Sequence, residues 1–305
     1  MIIDAHTHVW QSLEQLGPQI SAHLRQRLGQ PWEQIDAGPQ THEAAMRELG
    51  GAFVWGFRSR RLGADVPNSL IASYVSTAPN RLYGFAGVDP MDDNFLDRLE
   101  SAAMMKLSGV VVSPADCHYH PSHTRAMRLF EQCQRMNLPV MVDQGGRFCR
   151  DAALEYAQPQ LFDEVARSFP QLRIVLAHVG HPWTDAALTM LGKHRHVYAT
   201  ISSLALRPWQ LYHTLLTAHQ LEVTDRLLFG SDFPHNNPRK AIEAVYFINQ
   251  IAHGTAFPTI PRQRLRSIVE RDALDCLGLR RAANPRSITT PMAAEAQASK
   301  FKVQN

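Results

Sequence analysis

Eight short runs rich in Val, Ile, Leu, Phe and Tyr recur along the chain, separated by longer amphipathic stretches, and this alternation constrains the fold more than any other feature. The runs are residues 1–9, 52–57, 82–88, 108–113, 139–144, 173–179, 196–202 and 227–233. Each is nearly continuous in its apolar character, as a strand covered on both faces should be. Between them, Asp93 to Lys106, His123 to Asn137, Pro159 to Ser168 and Arg207 to His219 are long enough for crossover helices. Eight strand–helix units predict an α/β chain closed into a parallel (β/α)8 TIM barrel. The alternative is an open doubly wound sheet, but no GxGxxG follows an early strand.

A single-core barrel accommodates a chain of 305 residues with 45% hydrophobic content. We expect one domain over residues 1–280. Two stretches fall outside the repeat. Residues 11–40 form a long, Gly- and Pro-punctuated insertion after the first strand, where a barrel loop lies over the active face; it reads as a lid or as a structural cap. Residues 281–305 are polar, Ala-, Ser- and Thr-rich and without periodicity, the composition of a poorly ordered tail.

The formal charge of +3 is small for this length, and the basic residues are scattered. This argues against nucleic acid and against a membrane surface as partners. Cys117, Cys133, Cys149 and Cys276 contain no CxxC pair, which fits reduced thiols better than a disulfide framework. With no leader-like start and no apolar run near the roughly 20 residues of a membrane span, a cytoplasmic protein is expected.

The apolar runs are interrupted near their carboxyl ends, where barrel enzymes do their chemistry. Strand one carries His6 and His8, whose spacing of two puts both imidazoles on one face of a strand. Strand five ends in Asp143 and Gln144, strand six in His178, and strand eight in Asp232. A buried ionisable group costs several kcal/mol unless paired or bound to a cation. Together these residues make a mixed nitrogen and oxygen set able to hold one divalent ion, with positions left for water and substrate.

The segments IDAHTHVW, LPVMVDQGG, IVLAHVGHPW and LLFGSDFP, in this order over roughly residues 1–278, resemble the amidohydrolase superfamily. The likeness is to its amidohydrolase-related branch, which includes aminocarboxymuconate semialdehyde decarboxylase. The resemblance implies a mononuclear metal centre, with zinc the implied ion. It makes His6 and His8 ligands, Asp232 a ligand that also handles a proton of metal-bound water, and His178 the acid/base or polarising residue. Such barrels are often dimers, so a homodimer is a further expectation. Its implied activities are hydrolysis of an amide, lactone or similar carbonyl compound that bears a carboxylate and, as runner-up, non-oxidative decarboxylation of an aromatic or muconate-type acid.

One position departs from the family. Asp143 stands where a ligating histidine is usual. As a ligand it would make the site one unit more negative, favouring manganese and raising the pKa of bound water. Two other readings stay open: a metal-independent lactonase, or a non-catalytic barrel. Candidate substrate contacts are Trp10, Arg58, Arg61, Ser113, His181, Trp183 and Ser202, with Arg60, Arg147, Ser203 and Arg207 also just beyond strand ends. His118, His120 and His123 lack a partner acid and read as surface histidines. No GxSxG elbow supports a serine hydrolase.

Overall fold

The computed structural model describes residues 1–27, 36–143 and 149–279. Eight parallel strands form one sheet: β1 (Ile3–His8), β2 (Gly51–Trp55), β3 (Leu82–Gly87), β4 (Gly109–Val112), β5 (Val140–Val142), β6 (Ile174–Leu176), β7 (Val197–Thr200) and β8 (Leu227–Leu228). They pair in chain order. The barrel closes where the chain beyond β8 meets β1. There Ala5 N–H bonds to the Phe229 carbonyl (2.9 Å), Asp232 N–H to that of His6 (3.0 Å), and His8 N–H to that of Phe233 (2.9 Å). The expected (β/α)8 TIM barrel is therefore the observed fold.

Continuous apolar runs produce these strands because side chains on both faces are covered. Ile3, Phe53, Phe85, Val111, Met141, Val175 and Leu228 point inward and fill the barrel, and Ala273 and Leu274 of helix Ala273–Cys276, with Leu277 just after it, pack against them. The alternate residues face the helical layer, where Val54, Val110, Val140 and Leu176 meet residues such as Leu129 and Phe130 of helix Thr124–Arg135. Each such side chain contributes about 1.5–3 kcal/mol on burial.

Each strand lies within a predicted run or overlaps it closely, but β6 and β8 stop short. Positive φ at His178 (54°) and Val179 (47°) turns the chain just beyond β6, and Asp232 (φ 69°) makes a like turn four residues beyond β8. The X-Pro bonds that follow, His181–Pro182 and Phe233–Pro234, are both cis. The patterning did not reveal the antiparallel ribbon of Arg58–Ser59 with Ala64–Asp65, too short to show a period.

The described part of the insertion is packed. A 3-10 turn (Leu13–Leu16) and helix Gly17–Arg27 bury Leu13, Leu16, Ile20 and Leu24. Gly17 (φ 78°) abuts the loop after β2: a Cβ there would sit 2.2 Å from the Leu62 carbonyl oxygen. Gln19 bonds to the Asp151 side chain, and its Oε1 accepts from Asp151 N–H (3.3 Å), so the insertion reaches the segment after β5. The expected tail of residues 281–305 lies outside the described residues, as do Gln144 and Arg147. No helix among the described residues is long and apolar enough to cross a membrane.

Candidate active site

The register between β1 and β2 shifts between Asp4 and Thr7, so two residues of β1 oppose one of β2. Such a bulge re-aims side chains. Ala5 and the two histidines thereby all serve the barrel side, while Thr7 turns to the helical layer. His6 Nε2 and His8 Nε2 lie 3.1 Å apart. Two imidazole nitrogens this close are complementary only when a proton or a cation lies between them. Asp232 Oδ1 sits 3.8 Å from the first and 3.9 Å from the second.

Several contacts hold this arrangement. The His6 ring stacks on Trp55, with centroids 3.8 Å apart and planes 10° from parallel. Trp55 in turn donates Nε1–H to the Ala5 carbonyl (3.0 Å). Asp4 Oδ1 accepts from His6 N–H (3.2 Å) and Ser231 N–H (2.9 Å), clamping β1 to the segment that ends in Asp232. Burial pushes the Asp4 carboxyl up to about 6, against the lowering effect of those bonds. Gly230 permits the close approach: a Cβ there would lie 2.9 Å from His6 Cβ and 3.3 Å from Ser202 Cβ.

The Ser202 hydroxyl is a hub. Its Oγ lies 2.7 Å from His6 Nδ1, 3.0 Å from His178 Nδ1 and 2.8 Å from Thr200 Oγ1. The Ser202 carbonyl, which only accepts, is 3.1 Å from His178 Nδ1. His178 therefore carries its proton on Nδ1 when neutral, which makes Nε2 the unprotonated ring nitrogen. A metal-ligating histidine commonly fixes its second ring nitrogen in this manner, and His6 does so through Ser202 and Thr200.

His6, His178 and Asp232 each offer a ligand atom within 4.8 Å of the others, and all are buried. The circle through His6 Nε2, His8 Nε2 and Asp232 Oδ1, set by separations of 3.1, 3.8 and 3.9 Å, has a radius of about 2.1 Å. That equals the bond length a zinc ion makes to nitrogen and carboxylate oxygen, about 2.0–2.2 Å. The donor set fits a divalent ion.

The remaining candidates come from other elements of the barrel. Asp143 is buried at the end of β5; its N–H bonds to the Val112 carbonyl (2.9 Å) and its carbonyl accepts from Ser113 Oγ (3.1 Å). Ser113 also donates toward Asp116 Oδ2 (2.7 Å). Trp10 is buried with its ring 6.5 Å from that of His8 and 6.3 Å from His235. Arg58 grips Asp92 (2.8 and 3.2 Å) and Asp65 (2.8 Å), so holding a substrate carboxylate would require breaking those pairs. Arg61 donates Nε–H to the Asp151 carbonyl (3.3 Å). His181 and Trp183 are half-buried beyond β6, and burial together with the nearby Arg207 holds the His181 imidazole below its usual pKa. His118, His120 and His123 are exposed. The reading of strand ends passed over Asp4, Trp55 and Thr200. A polar Asp inside an apolar run was the one available signal, for Asp4.

A fourth buried histidine, His42, lies behind β1. Burial pushes its pKa down to about 3, so below the unfolded-chain value of about 6.5 only the unfolded state gains the proton. Stability is full above pH 6.5 and is lost as pH falls toward 3, at up to about 1.4 kcal/mol per pH unit. Urea denaturation between pH 4 and 7 is expected to show this slope, and His42→Gln to flatten it.

A sequence profile of the amidohydrolase family matches residues 3–275. The chain belongs to the amidohydrolase family. No curated relative matches it. Among solved structures, an amidohydrolase from Burkholderia multivorans with bound zinc is 14% identical, with TM-score 0.65 over 91% of this chain and 99% of that one. A protein from Acinetobacter baumannii assigned as 2-pyrone-4,6-dicarboxylic acid hydrolase, holding citric acid, is 17% identical, with TM-score 0.57 over 91% and 99% of the two chains. A dihydroxybenzoic acid decarboxylase from Polaromonas, with manganese and 2-nitroresorcinol, is 17% identical, with TM-score 0.57 over 92% and 98%. At these identities the likeness is one of fold. This member of the amidohydrolase family thus shares its barrel with both hydrolases and decarboxylases.

Proposed function

We propose that this amidohydrolase is a metal-dependent hydrolase of a small, carboxylate-bearing amide, lactone or similar carbonyl compound. The observation that carries the reading is the buried convergence of His6, His8 and Asp232 on a circle of metal-bond radius, with His178 beside it. His6, His8 and Asp232 would hold the ion, zinc or manganese, with Asp143 as the fourth protein ligand. Such an ion supplies a water of lowered pKa and a Lewis-acid grip on a carbonyl oxygen. Asp232 accepts the proton of the attacking water. His178, its Nδ1–H engaged by the Ser202 carbonyl, presents Nε2 to take up a proton and return it to the leaving group. Trp10 and Trp183 would flank the substrate.

Arg207 supports an acidic substrate. Among the described residues it has no acidic partner; its Nη1 reaches Ser203 Oγ at 3.4 Å, next to the hub serine. A guanidinium at the rim, beside His181, suits a carboxylate. Arg207→Gln is expected to raise KM for a carboxylate substrate about 10- to 100-fold and to leave KM for its methyl ester unchanged, since a hydrogen bond to a charged group is worth about 1.5–3 kcal/mol. Equal effects on acid and ester would remove Arg207 from substrate recognition. The same first shell serves decarboxylation, which the likeness to the dihydroxybenzoic acid decarboxylase keeps as the second reading.

Elemental analysis of untagged protein, beside Asp143→His, tests the metal. One divalent ion per chain in the unaltered protein is the expected result; a screen of lactones, amides and aromatic acids then separates hydrolysis from decarboxylation. An ion in the variant alone would show that Asp143 disables the centre, and metal-free lactonase activity would be sought next.

A further inference from the structure

We propose that His42 is a positioning residue for the metal-binding pair, setting the spacing of His6 and His8 through the hydroxyl of the threonine between them. Thr7 faces away from the two histidines into the helical layer. Its Oγ1 donates to the Phe53 carbonyl of β2 (2.7 Å), a cross-strand bond at the place where the register shifts. His42 Nε2 lies 2.8 Å from the same hydroxyl, and Tyr74 Oη lies 2.8 Å from His42 Nδ1.

The proton order along this chain has one solution. The Phe53 carbonyl can only accept, so the Thr7 proton points to it. His42 must then donate from Nε2, which leaves Nδ1 to accept from the Tyr74 hydroxyl. A charged imidazolium would carry a proton on Nδ1 as well, and the Tyr74 hydroxyl would have to turn its own proton away to accept it. Full burial keeps the ring neutral, in agreement with its depressed pKa. The ring also meets Phe233, the neighbour of Asp232, edge-on at 5.3 Å. One side chain thus touches both segments that carry the candidate ligands.

The bulge makes such a support necessary. Where the ladder slips, the rotation of β1 about its axis is less restrained. A turn of about 10° would carry an imidazole Nε2 by about 1 Å, against a metal-bond tolerance of about 0.2 Å.

The test uses zinc-free full-length protein and the variants Thr7→Val, His42→Phe and His42→Gln, the last keeping an N–H donor for Thr7. Zinc affinity, read by competition with a chromogenic chelator, is expected to weaken about 10- to 100-fold in Thr7→Val and His42→Phe, as for other partners of metal ligands, and to return to within about threefold of the unaltered protein in His42→Gln. This zinc arm rests on the metal reading above; a second arm does not. Nitrogen NMR of the zinc-free protein reads the His6 and His8 Nε2 pair directly, and the pattern of a shared proton is expected to be lost in Thr7→Val and His42→Phe and kept in His42→Gln. Unchanged spectra with only a lowered thermal midpoint would make His42 a packing residue and overturn the proposal. If the unaltered protein takes up no zinc, the metal reading falls, and the NMR arm alone decides on His42.

Discussion

Asp232→Asn is expected to lower kcat/KM by about 10²- to 10⁴-fold, the contribution of a positioned general base, and to remove most of the bound divalent ion. Asparagine keeps the shape of the side chain and tolerates the left-handed backbone at this position (φ 69°). The bond from the residue's N–H to the His6 carbonyl (3.0 Å) is untouched. What is lost is the anionic Oδ1 placed 3.8 and 3.9 Å from the two imidazoles. Activity against the substrate found in the screen, metal content and the thermal midpoint should be measured together. Loss of the first two with the midpoint held within a few degrees is the expected pattern. Full activity in the variant would take Asp232 out of the chemistry.

Trp55→Ala is expected to destabilise the fold by about 3–5 kcal/mol, the usual cost of emptying a large aromatic site. Trp55 is 1% exposed, lies in the barrel interior and is among the largest fully buried side chains. Two further contacts add to packing: the Nε1–H bond to the Ala5 carbonyl and the stack on the His6 ring. Trp55→Phe retains most of the apolar contact and is expected to lose about 1–2 kcal/mol for the missing donor and the carbonyl left without it. Urea denaturation at neutral pH measures both. A loss below about 1 kcal/mol for the alanine variant would mean that the barrel interior collapses around the gap.

Much of the candidate site was legible because its residues break a local pattern. His6, His8, His178 and Asp232 are polar interruptions of apolar runs at strand ends, and a barrel gathers all such ends on one rim. Arg58 shows the limit of that reasoning. It stands just beyond β2, as a substrate contact would, yet the fold brings Asp92 to it from 34 residues away and Asp65 from 7. Ser202 reads from its place at a strand end as a substrate contact; what the strand end could not tell is that its hydroxyl lies between the Nδ1 atoms of His6 and His178. Trp55 reads as one more aromatic in a strand, since nothing local says that an imidazole will lie on it.

The sequence by itself determined the eight strands, their parallel order and the residue types at their carboxyl ends, because strand periodicity and burial on both faces are properties of a few consecutive residues. Only the tertiary structure decided the tautomer of His178, the clamp of Asp4 on Ser231, the stack of His6 on Trp55 and the support of Thr7 by His42. These contacts join residues 24, 227, 49 and 35 positions apart. Their geometry depends on a bulge in β1 and on left-handed turns after β6 and β8, which exist only once neighbouring strands have set the register.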